Sequence, residues 1–203
     1  MKKTMLAACF ILVSGTAFAQ QAAQADPATV DRYVQSMWAK ASPEWKARIV
    51  QDETQAECSA ARNTPGPAQF EKIVAREKAG VVFPADGTVL GDWKSGAKVA
   101  NTGTGGQFSD GPDTYVGGNC YACHQMAPGE LSYGTLGPSL TGYGKARNFS
   151  AEAAKAAYAK IYNAQSVMAC SQMPRFGHNR FLTEQQIKDV TAFLFDPESP
   201  VNK

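Results

Sequence analysis

Apolar side chains recur at helical spacing in the first part of the chain. Pro27 stands at the first position of a helix predicted over 28–40, and the apolar residues of this stretch share one face. A short helix that carries Trp45 and Ile49 is predicted next, followed by a longer helix over 68–79. The apolar face of the first helix consists of Val30, Tyr33, Val34 and Met37.

The middle of the chain has no sustained helical period. Glycines punctuate 81–118, so this segment is predicted to form loops, with a short strand at 81–83. A helical pattern returns over 150–164 and again near the end, where Thr183 and Gln186 form a capping box before an apolar stripe. That stripe consists of Ile187, Val190, Ala192, Phe193 and Leu194. Helices around a loop-rich centre predict a mostly α domain.

The beginning of the chain predicts export. Residues 1–19 combine a basic start, a short apolar run and small residues that end at Ala19, which is typical of a secretory signal peptide cleaved after Ala19. The apolar run is shorter than the ~18 residues that a membrane-spanning helix needs. An N-terminal anchor and lipid attachment at Cys9 stay open as alternatives. We expect a periplasmic protein with no membrane span, in a compartment where thiols oxidise.

Composition limits the function classes. The chain has 203 residues, 44% of them apolar, which is enough for a domain with a core and excludes disorder over most of the length. There are 20 Lys and Arg against 18 Asp and Glu, and removal of the signal peptide leaves 18 of each. This balance gives no strong net field, so we expect no nucleic-acid partner.

The run Cys120-Tyr121-Ala122-Cys123-His124 is the C-x-x-C-H attachment motif of a c-type haem. The two cysteine sulfurs add to the haem vinyl groups, and the adjacent imidazole is then placed to bind the iron. A thioredoxin-like redox pair, a zinc site and a disulfide between Cys120 and Cys123 are the alternatives. Because the chain is exported and His124 directly follows the second cysteine, the motif favours one covalently bound haem c.

A second axial ligand must come from another segment. The candidates are Met37, Met126, Met168, Met173 and His178. Met173 is favoured because it lies in an irregular segment stiffened by a following proline, where a loop can present a thioether. Met126 lies too close to the attachment motif, Met37 and Met168 are assigned to the core, and His178 stays open. His/Met ligation raises the reduction potential and favours electron transfer.

Two further positions are predicted to support the haem. The Pro138 carbonyl, fourteen residues after His124, is placed to accept the imidazole Nδ1–H, although a plain turn is the alternative. Arg147, with Lys145 before it, is a candidate partner for a haem propionate or else part of a solvated basic loop.

Two cysteines remain once the haem and the signal peptide have taken the other three. Cys58 and Cys170 are most simply joined in one disulfide, which would tie the N-terminal helical region to the segment just before Met173. Unpaired thiols and an intermolecular bridge are the alternatives.

Several longer blocks of the sequence have the pattern of a known family. The most specific are the C-S-x-M-P-R-F-G block over 170–177 and the D-P-x-S-P-V-N ending over 196–202. The others are Gly91-Asp92-Trp93-Lys94, Gly117-Gly118-Asn119-Cys120-Tyr121, Gly134-Thr135-Leu136-Gly137-Pro138-Ser139-Leu140 and Tyr143-Gly144-Lys145. Together they resemble the SoxX family, the mono-haem cytochrome c subunits of SoxAX sulfur-oxidising complexes. The resemblance runs from about residue 81 to the C-terminus.

The resemblance implies a class I cytochrome c fold over 81–203, preceded by an N-terminal helical extension over 20–80. It also implies a heterodimer with a SoxA-type cytochrome subunit. That complex couples thiosulfate oxidatively to a cysteine of the SoxYZ carrier, the reaction of an L-cysteine S-thiosulfotransferase. In the family the thiol-linked catalysis is attributed to the SoxA subunit.

The site residues that the resemblance implies are the haem cysteines Cys120 and Cys123 and the axial ligands His124 and Met173. This chain is then expected to relay electrons to a soluble cytochrome rather than to catalyse alone. An independent periplasmic shuttle is the alternative function, against which the N-terminal extension argues.

Overall fold

The structure is a computed structural model that describes residues 25–203, so the predicted signal peptide, its cleavage site and Cys9 lie outside the described residues. This part of the chain contains seven α-helices and no β-strand. The helices are α1 (Pro27–Met37), α2 (Pro43–Arg48), α3 (Glu53–Ala60), α4 (Pro67–Ala79), α5 (Trp93–Asn101), α6 (Ala151–Tyr162) and α7 (Glu184–Phe195). The predicted mostly α fold is confirmed. None of these helices is long and apolar enough to cross a membrane.

Contacts divide the chain into two compact units, Met1–Val50 and Gln51–Lys203. In the described part of the first unit, Asp26 caps α1 by accepting the N–H of Thr29 at 3.0 Å. No residue of α1 is buried, and Met37 is exposed, so its assignment to a core is wrong. The apolar periodicity was sufficient to predict the helix, but periodicity does not show whether anything covers the face.

The core of the second unit forms where α5, α6 and α7 meet. The stripe predicted for α7 is buried, and Phe193 packs there with Tyr158 of α6 and Val99 of α5. The predicted capping box is present at the beginning of α7, where the Thr183 hydroxyl accepts the N–H of Gln186 at 3.2 Å. The last helix therefore lies at the centre of the domain.

Helix α5 replaces part of the segment that was predicted to form loops. Asp92 caps it by accepting the N–H of Ser95 at 2.8 Å. A Cβ at Gly96 would overlap the main-chain carbonyl of Asp189 in α7, so glycine permits the close approach of these two helices. The same glycine weakens the helical pattern in the sequence, which is why the loop prediction for this segment was wrong. The strand predicted at 81–83 is also wrong, because the described chain offers no strand to pair with it.

Helices α3 and α4 form a smaller layer in the same compact unit. A disulfide joins Cys58 of α3 to Cys170, and Ile73 of α4 is fully buried beside it. The predicted domain boundary was residue 81, whereas the compact unit of the structure begins at Gln51. Helices α3 and α4 thus share one compact unit with the segment that carries the C-x-x-C-H motif.

The C-terminal residues fold back onto the domain. The Asn202 side chain accepts the N–H groups of Gly144 at 3.0 Å and Lys145 at 3.1 Å, and it donates to the carbonyl of Leu194 at 3.1 Å. It is buried at 6% exposure, so these hydrogen bonds form away from water. The end of the chain thereby fixes the loop that leads to Arg147.

Candidate haem-binding site

The C-x-x-C-H segment is held by main-chain hydrogen bonds to the end of α5. The N–H of Gly118 donates to Val99 at 2.8 Å, and the N–H of Asn119 donates to Thr102 at 3.0 Å. Asn119 then adopts a left-handed conformation with φ 46°, a region that asparagine enters more easily than most residues. This turn starts the single 3-10 turn Cys120–Ala122. Helix α5, which the sequence did not predict, therefore positions the motif.

Both cysteines of the motif are free thiols in the structure and are not joined to each other. Burial raises the pKa of the Cys120 thiol to about 12, so this sulfur stays protonated at neutral pH. Cys120 lines the cavity described below.

His124 is oriented by the segment that follows it. The imidazole Nδ1 lies 2.8 Å from the Pro138 carbonyl oxygen, the contact predicted from the sequence. A carbonyl can only accept, so Nδ1 carries a proton, and in the neutral imidazole the free lone pair is then on Nε2. A Cβ at Gly137 would overlap the imidazole ring, so glycine is needed where the main chain passes it. The N–H of Gly137 donates to Cys123 at 2.8 Å and fixes this approach.

A cavity of about 250 Å³ lies beside the motif, and His124 and Met173 both line it. This volume is many times the ~30 Å³ share of one water molecule, so the cavity admits a much larger group. Its walls are mostly aliphatic and aromatic side chains from α6, α7 and the connecting loops. They include Leu140, Tyr143, Ala157, Ile161, Phe176, Leu182, Val190 and Leu194.

The other candidate ligands are placed differently. Met126 also lines the cavity and is buried in the core, two residues after His124. Met168 is 52% exposed and does not line the cavity, so its assignment to the core is wrong. His178 lies outside the cavity lining, with Nε2 3.3 Å from a guanidinium nitrogen of Arg175. Of the two ligands left open by the sequence, only Met173 reaches the cavity.

Two basic side chains line the cavity. Arg147 was predicted, and its guanidinium stacks on Tyr143 with the central carbon 3.6 Å from the ring centroid. The same guanidinium donates to the Tyr143 carbonyl at 3.0 Å. Lys160, in the last turn of α6, was not predicted from the sequence. Lys160 directly precedes the buried Ile161, so its long basic side chain is expected at the edge of the apolar face of α6. This neighbour relation could have predicted its place at the cavity.

A buried polar cluster lies beside the Met173 segment. Arg175 is 5% exposed, and its guanidinium pairs with the carboxylates of Asp52 and Glu77. Burial raises the pKa of Glu77, but hydrogen bonds from Asn163 and Thr54 and the charge of Arg175 outweigh it, so the pKa is lowered. The cluster is ionised at neutral pH. No local sequence pattern indicates this cluster, because isolated charged residues usually lie on the solvated surface.

Comparison with known proteins identifies the domain. Residues 108–196 match the family model of cytochrome c. An uncharacterised lipoprotein of Aquifex aeolicus is 38% identical over 160 residues, which cover 78% of this chain and 76% of the relative. The chain therefore contains a cytochrome c domain. The matched range begins before the C-x-x-C-H motif and ends with α7.

The residues of this cytochrome fit a haem c. Two free thiols stand at the attachment spacing, the Pro138 carbonyl selects the imidazole tautomer with its lone pair on Nε2, and a thioether reaches the same apolar cavity. Cys120 and Cys123 would carry the porphyrin, with His124 and Met173 on the iron. Arg147 and Lys160 are the cavity residues that can neutralise carboxylates of the haem edge.

Proposed function

We propose that this protein is a mono-haem c-type cytochrome that transfers electrons with His124 and Met173 as axial ligands. The observation that carries the proposal is that both side chains line one apolar cavity beside the attachment motif. When bound, a haem c supplies reversible one-electron exchange at its iron. The Pro138 carbonyl orients the imidazole, and the aliphatic walls exclude water, which favours the less charged reduced state.

Electron transfer suits this arrangement better than catalysis on the same chain. If His124 and Met173 both bind the iron, no coordination position would be left for a sulfur substrate. Coupling two thiol-level sulfurs into one S–S bond releases two electrons, and one haem accepts them singly. We therefore infer that the chain is not catalytic alone.

We further propose that the chain is the electron-transfer subunit of a SoxAX-type complex, in which thiosulfate is coupled to a cysteine of the SoxYZ carrier. Support comes from the two most specific blocks that resemble the SoxX family, since both build the site. The block over 170–177 supplies Met173, and the ending over 196–202 supplies Asn202, which fixes the loop before Arg147. A SoxA-type subunit would pass electrons to this chain, and a soluble cytochrome would accept them.

Replacement of the predicted thioether ligand tests the axial assignment. Met173→Ala is expected to abolish the methionine-to-iron charge-transfer band of the ferric protein, to lower the reduction potential and to let imidazole or cyanide bind rapidly. Met168→Ala is the matched control, because Met168 lies in the same region but is exposed and does not line the cavity. A ferric spectrum that is unchanged in Met173→Ala would contradict the assignment and direct attention to His178.

Size-exclusion chromatography of the native periplasmic extract separates the SoxAX role from that of an independent shuttle. The haem-containing fraction of this chain should elute with a SoxA-type cytochrome, as a heterodimer. An apparent mass of one chain in the presence of the SoxA-type subunit would favour the shuttle. A pyridine haemochrome spectrum of the isolated chain should give one haem per polypeptide.

The proposed location is the periplasm, after cleavage behind Ala19. The Aquifex aeolicus relative is named a lipoprotein, and Cys9 is the cysteine left over once the other four are assigned to the haem and the disulfide. Mass spectrometry of the mature protein decides between the two processing routes. Cleavage after Ala19 leaves Gln20 as the first residue, whereas a lipid-modified Cys9 would contradict this proposal and indicate a membrane-anchored cytochrome.

A further inference from the structure

The segment that carries Met173 is irregular. It connects the 3-10 turn Ala164–Ser166 to the beginning of α7, and the N–H of Met173 donates to the Ser171 hydroxyl at 3.2 Å. An axial ligand on such a segment is bound only for the fraction of time in which the segment is in place. Its environment therefore decides how easily another ligand displaces the thioether.

Arg175, two residues after Met173, is anchored away from the haem cavity. It is absent from the cavity lining, and Nη2 donates to Asp52 Oδ2 at 2.5 Å while Nη1 donates to Glu77 Oε2 at 3.4 Å. Asp52 is the N-cap of α3, and Glu77 lies in the last turns of α4. The guanidinium thus connects the ligand segment to two helices at once.

Glu77 is itself fixed in a buried position. Its Oε2 accepts from Asn163 Nδ2 at 2.6 Å, its Oε1 accepts from the Thr54 hydroxyl, and its side chain is 6% exposed. A buried carboxylate cannot follow a moving partner without leaving a charge unpaired in a low-dielectric surrounding. Movement of the Arg175 side chain is therefore opposed by the packing of α3 and α4.

The other side of Met173 is tied covalently to the same layer. Cys170, three residues before Met173, is joined to Cys58 of α3. We propose that Arg175 is a positioning residue that, through Glu77 and Asp52, keeps the Met173 thioether in the haem cavity. Helices α3 and α4 thereby set how readily the axial ligand is exchanged. This inference rests on Met173 being the axial ligand, as in the proposed function.

The geometry of the guanidinium sets the expected effect of substitution. The planar guanidinium of Arg175 reaches two carboxylates on different helices through its two terminal nitrogens, whereas a lysine ammonium is a single point charge on a flexible side chain. Arg175→Lys should therefore retain the charge but weaken the connection, and Glu77→Gln should remove one of its two anionic partners. In both variants the Met173 segment should leave the cavity more often.

The test uses the full-length holoprotein and exogenous imidazole as the probe. In Glu77→Gln and Arg175→Lys the dissociation constant for imidazole binding to the ferric protein should fall about ten- to a hundredfold, the change expected from loss of a hydrogen bond to a charged group. The methionine-to-iron charge-transfer band should weaken in parallel. Glu57→Gln is the matched control, because Glu57 pairs with Arg76 and Lys72 between the same two helices. Its imidazole affinity should match that of the wild type.

Wild-type imidazole affinity in Glu77→Gln and Arg175→Lys, with only a lowered free energy of unfolding, would overturn the positioning role. If these two variants yield no folded holoprotein, Asp52→Asn takes their place. Its side chain is 40% exposed, and asparagine also caps helices well, so the helix cap is retained while the charge that faces Arg175 and His178 is removed. Wild-type affinity in that variant would equally overturn the proposal.

Met173→Ala distinguishes failure of this inference from failure of the proposed function. If the ferric spectrum of Met173→Ala is unchanged, the axial assignment fails, and the positioning role fails with it. If Met173→Ala opens the iron to imidazole while Glu77→Gln and Arg175→Lys do not, only the positioning role is lost.

Discussion

The orientation of His124 depends on a residue that has no side chain. Gly137 lets the main chain lie against the imidazole, and the next carbonyl, that of Pro138, accepts the Nδ1–H at 2.8 Å. The same segment is fixed by the hydrogen bond from the Gly137 N–H to Cys123. The imidazole is thus enclosed by the main chain on one side, which leaves Nε2 for the iron.

We predict that Gly137→Ala disturbs the site. Its Cβ would overlap the ring, and either the imidazole or the main chain must shift, which for overpacking costs about 1–3 kcal/mol of the free energy of unfolding. Chemical denaturation and the ferric absorption spectrum of the holoprotein measure the loss and the change in ligation. Gly129→Ala is the control, because nothing lies within 4 Å of a Cβ there. Equal stability and equal spectra for the two variants would contradict the prediction.

At the scale of single residues, local motifs were sufficient to predict the candidate haem residues, whereas the buried charged residues could not be predicted. The C-x-x-C-H spacing predicted the attachment cysteines and the imidazole ligand, and Pro138, fourteen residues after His124, was predicted as the hydrogen-bond partner of the imidazole. Arg175 and Glu77 were not predicted, because they lie 98 residues apart in the chain and are buried only when the fold brings them together. Desolvation is a property of the tertiary structure, so no local pattern reports it.

Between elements, the most extensive packing is that of α5 against α7. The main chain of Asp92 donates to the Asp189 carboxylate at 2.9 Å, and Gln185 of α7 donates to the same oxygen at 2.8 Å. Gly96 lies where the two helices approach most closely. Because α5 in turn binds the segment before Cys120, the distance between α5 and α7 determines where the motif lies.

We predict that Gly96→Ala destabilises the protein although alanine is the better helix former. Alanine gains about 1 kcal/mol in helix propensity, but its Cβ would overlap the Asp189 carbonyl, and overpacking costs about 1–3 kcal/mol. Thermal and chemical unfolding should therefore show a net loss. Gly80→Ala, at the end of α4, meets its nearest atom at an ordinary 3.6 Å and should be neutral. A Gly96→Ala variant as stable as Gly80→Ala would refute the close-contact argument.

The α3–α4 layer makes stability depend on acid pH. Burial raises the pKa of Asp52, but the N–H of Gln55 and the Arg175 guanidinium outweigh it, so its pKa is lowered like that of Glu77. Because the folded-state pKa values lie below the ordinary 3.8 and 4.5, the stabilisation is fully present above about pH 5 and is lost as the pH falls through the folded values. The charged or titratable groups that face these carboxylates are Arg76, Arg175 and His178.

We predict that the free energy of unfolding of the wild type falls steeply below about pH 4.5, where the unfolded chain takes up protons before the folded one. Glu77→Gln removes one of these groups and should give a shallower acid limb. Urea unfolding at a series of pH values measures both curves. An acid limb with the same slope in Glu77→Gln and in the wild type would contradict this origin.

At the scale of the whole molecule, the disulfide closes a loop of 112 residues between α3 and the ligand segment. A closure of this length lowers the entropy of the unfolded chain enough to stabilise the fold by about 4–5 kcal/mol. The double variant Cys58→Ser/Cys170→Ser should lose stability of this order in chemical denaturation. Two titratable thiols in the denatured wild-type holoprotein would show that the bridge does not form and that the stabilisation has another source.

The compact unit that contains the site is larger than the predicted cytochrome c domain. It begins at Gln51, because α4 packs against the turn Ala164–Ser166 and α3 is bonded covalently to Cys170. The sequence placed a boundary near residue 80 at a change from helical pattern to glycine-rich loops. A change from helical pattern to glycine-rich loops marks the end of a secondary-structure element. A domain boundary instead lies where few contacts join the residues before it to the residues after it.

Local patterns along the chain were enough to predict the haem-attachment chemistry and most of the helices. The attachment motif, the proline-marked candidate ligand, the capping box of α7 and its apolar stripe all depend on neighbours within a few turns of chain. The remaining features depend on the packing of distant segments. Helix α5 contains Gly96, a glycine that is needed only where α5 crosses α7. The fold brings Met173 rather than His178 to the cavity that His124 lines. It also buries the ion pair between Arg175 and Glu77, which are distant in sequence. These features depend on close approach and desolvation, which arise only when remote segments pack together.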